Sequence, residues 1–279
     1  MQRSTRVRQS GGMSPDASWT FDPGVVVALA LYVGIYVWRW RQARTPAEPH
    51  PPSAGRLLVF LAGIVVLVAA LCSPIDQLGE QLLVMHMVQH VLLLDVAPIL
   101  LILGFTKVLL RPATRRIHWV EQRVGWLAAP LFAVVLYTAA MWVWHVPALY
   151  DAAARHTGVH VLEHLSFALA GFLYWWHLIS PVATRLRREG TTPIVYMLST
   201  KVTVGFLGIA LTFAPTALFS YYTSQPHWWG LTPESDQMLA GAVMALEQAI
   251  VMGIALVVLF TRLLAQSERE EQRLERYAS

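Results

Sequence analysis

The chain alternates long apolar runs with short segments that hold most of its charged residues. A helix rises 1.5 Å per residue, so about 20 apolar residues are enough to cross the ~30 Å hydrocarbon core of a bilayer. Seven runs approach this length, at residues 23–38, 57–73, 81–103, 126–145, 158–179, 193–214 and 236–261. The pattern predicts an all-α, polytopic membrane protein with seven transmembrane helices.

The composition agrees with a membrane protein rather than a soluble domain. Of the 279 residues, 56% are hydrophobic and 14% are charged, whereas soluble domains carry roughly 25% charged residues. The net charge of +4 is concentrated in the segments between the runs, so it indicates membrane orientation and not nucleic-acid binding. The single cysteine, Cys72, excludes a disulfide within the chain.

The basic residues alternate between the two ends of the predicted helices. Loops on the cytoplasmic side of bacterial membrane proteins carry an excess of lysine and arginine. The segments after runs one, three, five and seven are rich in these residues, and the opposite loops hold only Arg155. This predicts an extracytoplasmic N-terminus and a cytoplasmic C-terminus. The expected division is a disordered extracytoplasmic tail at 1–20, a membrane bundle at 21–265 and a charged cytoplasmic tail at 266–279.

Two runs carry histidines four residues apart. His86 and His90 lie in the third run, and His160 and His164 lie in the fifth. This spacing puts each pair on one helix face, and the predicted orientation puts both pairs in the outer turns. Neutral imidazole binds copper, zinc and iron, and an ionisable residue inside a membrane helix indicates a functional site. The alternative is hydrogen bonding to backbone carbonyls, Gln89 or water. We predict a metal site, with copper as first choice and zinc as second.

Other residues are candidates to complete the ligand set. His145, at the outer boundary of the fourth run, is a further ligand or an entry point. Met244, from the seventh run, offers a soft sulfur that favours Cu(I), although methionine is also common apolar filler. Cys72, Met85 and Met87 are weaker candidates; Met87 points about 100° away from the adjacent histidine on a helix.

The segment from His160 to His164 also matches H-x-x-E-H, a pattern of some zinc peptidases. In such an enzyme Glu163 would be the general base for a zinc-bound water. The alternative is that Glu163 orients an imidazole by accepting its N–H. We favour the second interpretation and predict that the chain has no catalytic residue and is not an enzyme.

Two opposite charges lie at equal depth in different runs. Asp95 in the third run and Lys201 in the sixth are each costly alone in a membrane, so we predict an ion pair. Its function is either a structural lock or part of a proton path. Glu247 lies near mid-depth in the seventh run and belongs to the same polar interior.

Several motifs, in this order, resemble the CtaG family of cytochrome c oxidase assembly factors. They are Ser73-Pro74-Ile75-Asp76, the His86 to His90 pair, Ala97-Pro98 with Gly104, Trp144-His145-Val146-Pro147 with Tyr150-Asp151, the His160 to His164 segment, and Asp236-Gln237 with Gly241 and Met244. The resemblance implies a bacterial cytoplasmic membrane protein that matures a haem-copper oxidase, supplying copper through the four paired histidines. It also implies an oxidase subunit and copper-donor proteins as partners, beside the lipid bilayer.

The function predicted from the sequence is therefore a membrane copper chaperone. Three other classes stay open. A copper or proton-coupled transporter would continue the polar route through Asp95, Lys201 and Glu247. A b-type cytochrome would use two histidines as axial haem ligands, and a membrane zinc peptidase would need Glu163. The sequence decides neither the oxidation state of the metal nor the oligomeric state.

Overall fold

The computed structural model describes residues 14–182 and 192–278, and across those ranges it is helical without a strand. This confirms the all-α prediction. The helices are α1 Pro23–Gln42, α2 Ala54–Leu71, α3 Pro74–Gly79, α4 Leu83–Val91, α5 Ala97–Gly104, α6 Lys107–Val124, α7 Pro130–Trp144, α8 Pro147–Arg155, α9 Thr157–Ile179, α10 Thr192–Thr212, α11 Ser220–Thr223 and α12 Pro233–Ala278. A π-helical turn, Leu92–Val96, joins α4 to α5.

Each of the seven predicted runs lies on a helix, but fewer helices have the length and hydropathy of a membrane span. Among the described residues five qualify, namely Pro23–Gln42, Ala54–Leu71, Leu83–Gly104, Thr192–Thr212 and Pro233–Arg276. The α7–α8 pair, bent by 77°, adds a sixth if it is one span. The helix α9 is long enough, but its histidines and Glu163 lower its hydropathy. The structure fits a multi-pass membrane protein, while the count of seven and the orientation stay predictions.

The helix boundaries differ from the predicted ones at several places, three of them between residues 81 and 130. The third run does not begin at 81: α4 begins at Leu83, and the π turn interrupts the helix. The helix α7 begins at Pro130, because the preceding residues form a short 3₁₀ turn. The basic segment after the third run is the helix α6 rather than a loop. In each case local backbone geometry was not visible in the hydropathy.

The predicted N-terminal tail lies partly outside the described residues, which begin at 14. Within the described part, Asp16 and the side chain of Gln81 exchange hydrogen bonds of 2.9 and 2.8 Å. Thr20 donates to Asp76 over 2.7 Å. These bonds connect the segment before α1 to α3 and to the short segment that follows α3.

The broken helix formed by α4, the π turn and α5 is at the centre of the bundle. It packs against α2, α9 and α12, while α7 packs against α9 and α10. The closest approach is at Gly171 of α9, where a Cβ would lie only 1.9 Å from the carbonyl oxygen of Leu94. Glycine is therefore required there for α9 to contact the π turn. This contact fixes how the histidines of α9 face those of α4.

Candidate metal centre

The N-terminal end of α4 is capped by a side chain from another helix. The carboxylate of Asp236, near the start of α12, accepts hydrogen bonds from the backbone N–H groups of Leu83 (2.7 Å) and Val84 (3.0 Å). The first N–H groups of a helix have no partner within the helix and carry partial positive charge, so a carboxylate stabilises them. The cap fixes the turn of α4 that carries His86.

Four side chains from α4 and α9 converge beyond this cap. His86, His160, Glu163 and His164 each offer one ligand atom, and these atoms all lie within 4.8 Å of one another. The centroid of the His86 ring is 5.4 Å from that of His160 and 6.1 Å from that of His164. His86 and Glu163 are buried, and the other two are half-buried. Three of the four paired histidines thus meet at one point, with a carboxylate among them.

Glu163 faces imidazole nitrogens from both turns of α4. Its Oε2 is 3.6 Å from Nε2 of His86, and its Oε1 is 3.5 Å from Nε2 of His90. Among the described residues, neither carboxylate oxygen has a hydrogen-bond partner, and neither do the Nε2 atoms of the four paired histidines; all of these atoms are buried. A buried carboxylate without a donor is costly, so the arrangement favours a cation, either a proton or a metal ion.

The hydrogen bonds of Tyr222 assign the tautomer of His86. The Tyr222 hydroxyl has one proton, and it donates to the carbonyl of Gly79 over 2.6 Å. Its oxygen is also 3.2 Å from Nδ1 of His86, so this second bond is donated by Nδ1–H. The lone pair of His86 is then on Nε2, the atom that lies 3.6 Å from the carboxylate of Glu163, as in a metal ligand held by a hydrogen bond at its other nitrogen.

His90 and His145 lie beside this group of four. The His90 ring is 5.9 Å from the His164 ring and 6.1 Å from the His145 ring, measured between centroids. His145 donates from Nδ1 to the carbonyl of Met141 over 2.6 Å, and its Nε2 faces the sulfur of Met87 at 3.3 Å. Met244 lies in the hydrophobic core that also contains Met87. Metal binding by any of these residues stays a prediction.

Two residues near the centre have contacts that the sequence did not predict. Glu163 was predicted to orient an imidazole, and its carboxylate lies among the candidate ligand atoms. Met87 was a weaker candidate because of its direction relative to His86, and its neighbour is His145, which directly follows α7. The H-x-x-E-H spacing was the signal for Glu163, and no local pattern marks the contact of Met87.

A small cavity reaches the centre at the end of the bundle where α4, α8, α9 and α11 meet. It measures about 80 Å³ and borders His86 and His160. Glu80, Arg155 and Tyr222 also line it. Burial, together with nearby acidic groups, raises the pKa of the Glu80 carboxyl. The cavity gives a ligand from another molecule a route to the half-buried His160.

A second polar cluster surrounds Asp95, which is part of the π turn. The ammonium of Lys201 is 2.8 Å from both oxygens of Asp95, which confirms the predicted ion pair. Tyr137 donates to Asp95 over 2.7 Å, and Trp175 donates over 2.6 Å. Glu247 is nearby, 4.0 Å from the ammonium. The charge of Asp95 is therefore fully satisfied by donors inside the bundle.

Comparison with known proteins relates most of the chain to one family. Residues 31–266 match the family described as cytochrome c oxidase caa3 assembly factor (Caa3_CtaG). The uncharacterized protein Mb0105 of Mycobacterium bovis is 27% identical over 93% of this chain, and the uncharacterized protein ML1998 of Mycobacterium leprae is 25% identical over 93%. The chain spans about 41% of the length of these relatives. No solved structure matches the chain.

Proposed function

Because the chain belongs to the family of cytochrome c oxidase caa3 assembly factors, we propose that it binds copper at its histidine cluster and delivers it to the haem-copper centre of the oxidase. Family membership supports the general role, which is assembly of cytochrome c oxidase in a bacterial membrane. The copper step is the part that we add from the geometry of the centre.

The observation that carries the proposal is a set of buried polar atoms that lack hydrogen-bond partners. Within the described part of the chain, this is true of four imidazole Nε2 atoms and both oxygens of Glu163. A cation between these side chains would compensate the charge of the carboxylate and bind the imidazole lone pairs. Imidazole nitrogens with one carboxylate suit first-row transition metals rather than magnesium or calcium.

Copper is favoured over zinc for two reasons. Divalent copper binds a given nitrogen site more tightly than zinc. An oxidase with a haem-copper centre also requires copper during its assembly. In this proposal copper is the cargo, and the partners are a copper donor and an oxidase subunit.

Delivery needs a ligand that a partner can replace. His160 is half-buried and lines the cavity, whereas His86 is buried and held by Tyr222. We therefore assign His160 as the ligand that exchanges first, with an incoming histidine, cysteine or methionine of the acceptor. His86 and Glu163 keep the site in place.

Metal analysis of the purified full chain tests the proposal. Wild type, loaded with copper and desalted, is compared with the double variant His86→Ala, His160→Ala. We expect copper bound in stoichiometric amount in wild type and the loss of at least one copper per chain in the double variant. His177→Ala is the matched control, because His177 is buried on α9 but near its opposite end. Equal copper in wild type and the double variant, or no copper in either, contradicts the proposal.

A further inference from the structure

Met87 and His145 face each other without a proton between them. His145 Nδ1 is 2.6 Å from the carbonyl of Met141, so Nδ1 carries the ring proton and Nε2 carries the lone pair. That lone pair is directed at the thioether sulfur of Met87, 3.3 Å away. Both atoms are electron-pair donors, and Met87 is 0% exposed and His145 6% exposed. A soft cation bound to both atoms would explain their contact.

The ring of His90 lies next to the ring of His145. His90 is 1% exposed, and neither of its ring nitrogens has a hydrogen-bond partner within residues 14–182 and 192–278. A ring centroid lies roughly 3 Å from an ion that its nitrogen binds at ~2 Å. The 6.1 Å between the centroids of His90 and His145 therefore fits two imidazoles on opposite sides of one ion. Two imidazoles and a thioether are the donor set that selects Cu(I).

Glu163 lies between these three residues and the group formed by His86, His160 and His164. Its Oε2 faces His86, and its Oε1 faces His90. His90 is outside the group of four ligand atoms that lie within 4.8 Å of one another. A carboxylate with one oxygen toward each set is the geometry of a bridge between two ions roughly 3.5–4 Å apart.

We infer that the centre holds two metal ions in series, and that the inner one is Cu(I) bound by Met87, His90 and His145. The outer ion is held by His86, His160 and His164, and Glu163 bridges the two. This inference rests on the proposed function and adds a second site to it. The outer site borders the cavity and exchanges its ion with partners, while the inner site is enclosed and retains its ion.

The test measures copper stoichiometry and copper–sulfur scattering on the full chain, purified in detergent and loaded with Cu(I). We expect two coppers per wild-type chain and a sulfur scatterer at ~2.3 Å in X-ray absorption. Met87→Leu should lose the sulfur signal and one copper, and keep the other. Met85→Leu is the matched control, because it removes a half-buried methionine from the same helix and should change neither measurement. Met244→Leu should likewise leave both unchanged.

A second variant keeps the inference testable if Met87→Leu does not fold. His145→Gln keeps a donor for the Met141 carbonyl but removes the imidazole lone pair, and it should also lose one copper. One copper per wild-type chain with only nitrogen and oxygen ligands overturns the inference but leaves the proposed function standing. No bound copper overturns both. Sulfur scattering that survives Met87→Leu, or that disappears in Met244→Leu, overturns the assigned ligand set.

Discussion

Glu163 Oε2 and His86 Nε2 lie 3.6 Å apart; both are buried, and neither has a hydrogen-bond donor in the part of the chain that the structure describes. Since Nδ1 of His86 is engaged with Tyr222, the two facing atoms are both electron-pair donors. This relationship makes the negative charge of Glu163 the feature that most favours a cation at the centre. The role of Glu163 also distinguishes the copper proposal from a zinc peptidase. In the copper proposal Glu163 is a metal ligand, whereas in a peptidase it would be a general base.

The charge of Glu163 is tested by Glu163→Gln, which keeps the size of the side chain. If the carboxylate is a ligand, copper bound by the purified protein should fall at least tenfold, and oxidase activity in cells should fall with it. A zinc peptidase would keep its metal and lose only hydrolysis. Glu48→Gln is the control, since it changes a half-buried glutamate between α1 and α2, outside the histidine cluster. Full metal content in Glu163→Gln would show that Glu163 is not a ligand.

Asp95 and Lys201 distinguish a structural lock from a proton path. Asp95→Asn leaves the buried ammonium of Lys201 without its counter-charge, so we expect a loss of roughly 3–5 kcal/mol in unfolding free energy. Asp95→Asn combined with Lys201→Met removes both charges, keeps an amide oxygen as an acceptor for the donors around Asp95, and should recover most of that stability. Thermal unfolding in detergent measures both effects.

The same double variant also reports on function. If the ion pair is only structural, the double variant should still support oxidase assembly in cells, because the histidine cluster is unchanged. A folded double variant that binds copper but fails in assembly would favour the proton path instead. Lys107→Met removes an exposed lysine from α6 and should be neutral in both measurements.

Gly171 tests whether the contact between α9 and the π turn aligns the histidines. A Cβ at this position would lie 1.9 Å from the Leu94 carbonyl oxygen, so Gly171→Ala must push the helices apart. We expect a loss of at least 1–3 kcal/mol in stability and weaker copper binding, measured by unfolding and metal analysis. Gly158→Ala on the same helix meets no atom within 4 Å and should be neutral or slightly stabilising. Unchanged copper binding in folded Gly171→Ala would refute this role.

Asp236 tests the cap on α4. Asp236→Ala removes the acceptor for two N–H groups in the first turn, so we expect a loss of about 0.5–2 kcal/mol and faster hydrogen exchange at Leu83 and Val84. Copper binding should weaken moderately, because His86 lies one turn further along. Glu234→Ala, an exposed acid at the start of α12, is the control. Equal exchange rates at Leu83 in both variants would show that the cap does not order α4.

The sequence by itself determined the features that depend on periodicity and depth. Apolar runs predicted the helices, and four-residue spacing placed His86 with His90 on one face of a helix. Equal depth predicted the pairing of Asp95 with Lys201, which the structure contains. Such features are local, because a helix repeats every 3.6 residues whatever it packs against.

Only the tertiary structure decided which side chains meet across helices. Two contacts, that of Glu163 with the imidazoles and that of Met87 with His145, depend on how α9 and α7 are rotated about the broken helix formed by α4, the π turn and α5. That rotation is fixed by close packing such as Gly171 against Leu94, and by the π turn that interrupts the helix between His90 and Ala97. The sequence states which residues share a helix face, but the direction of that face depends on contacts between segments far apart in the chain.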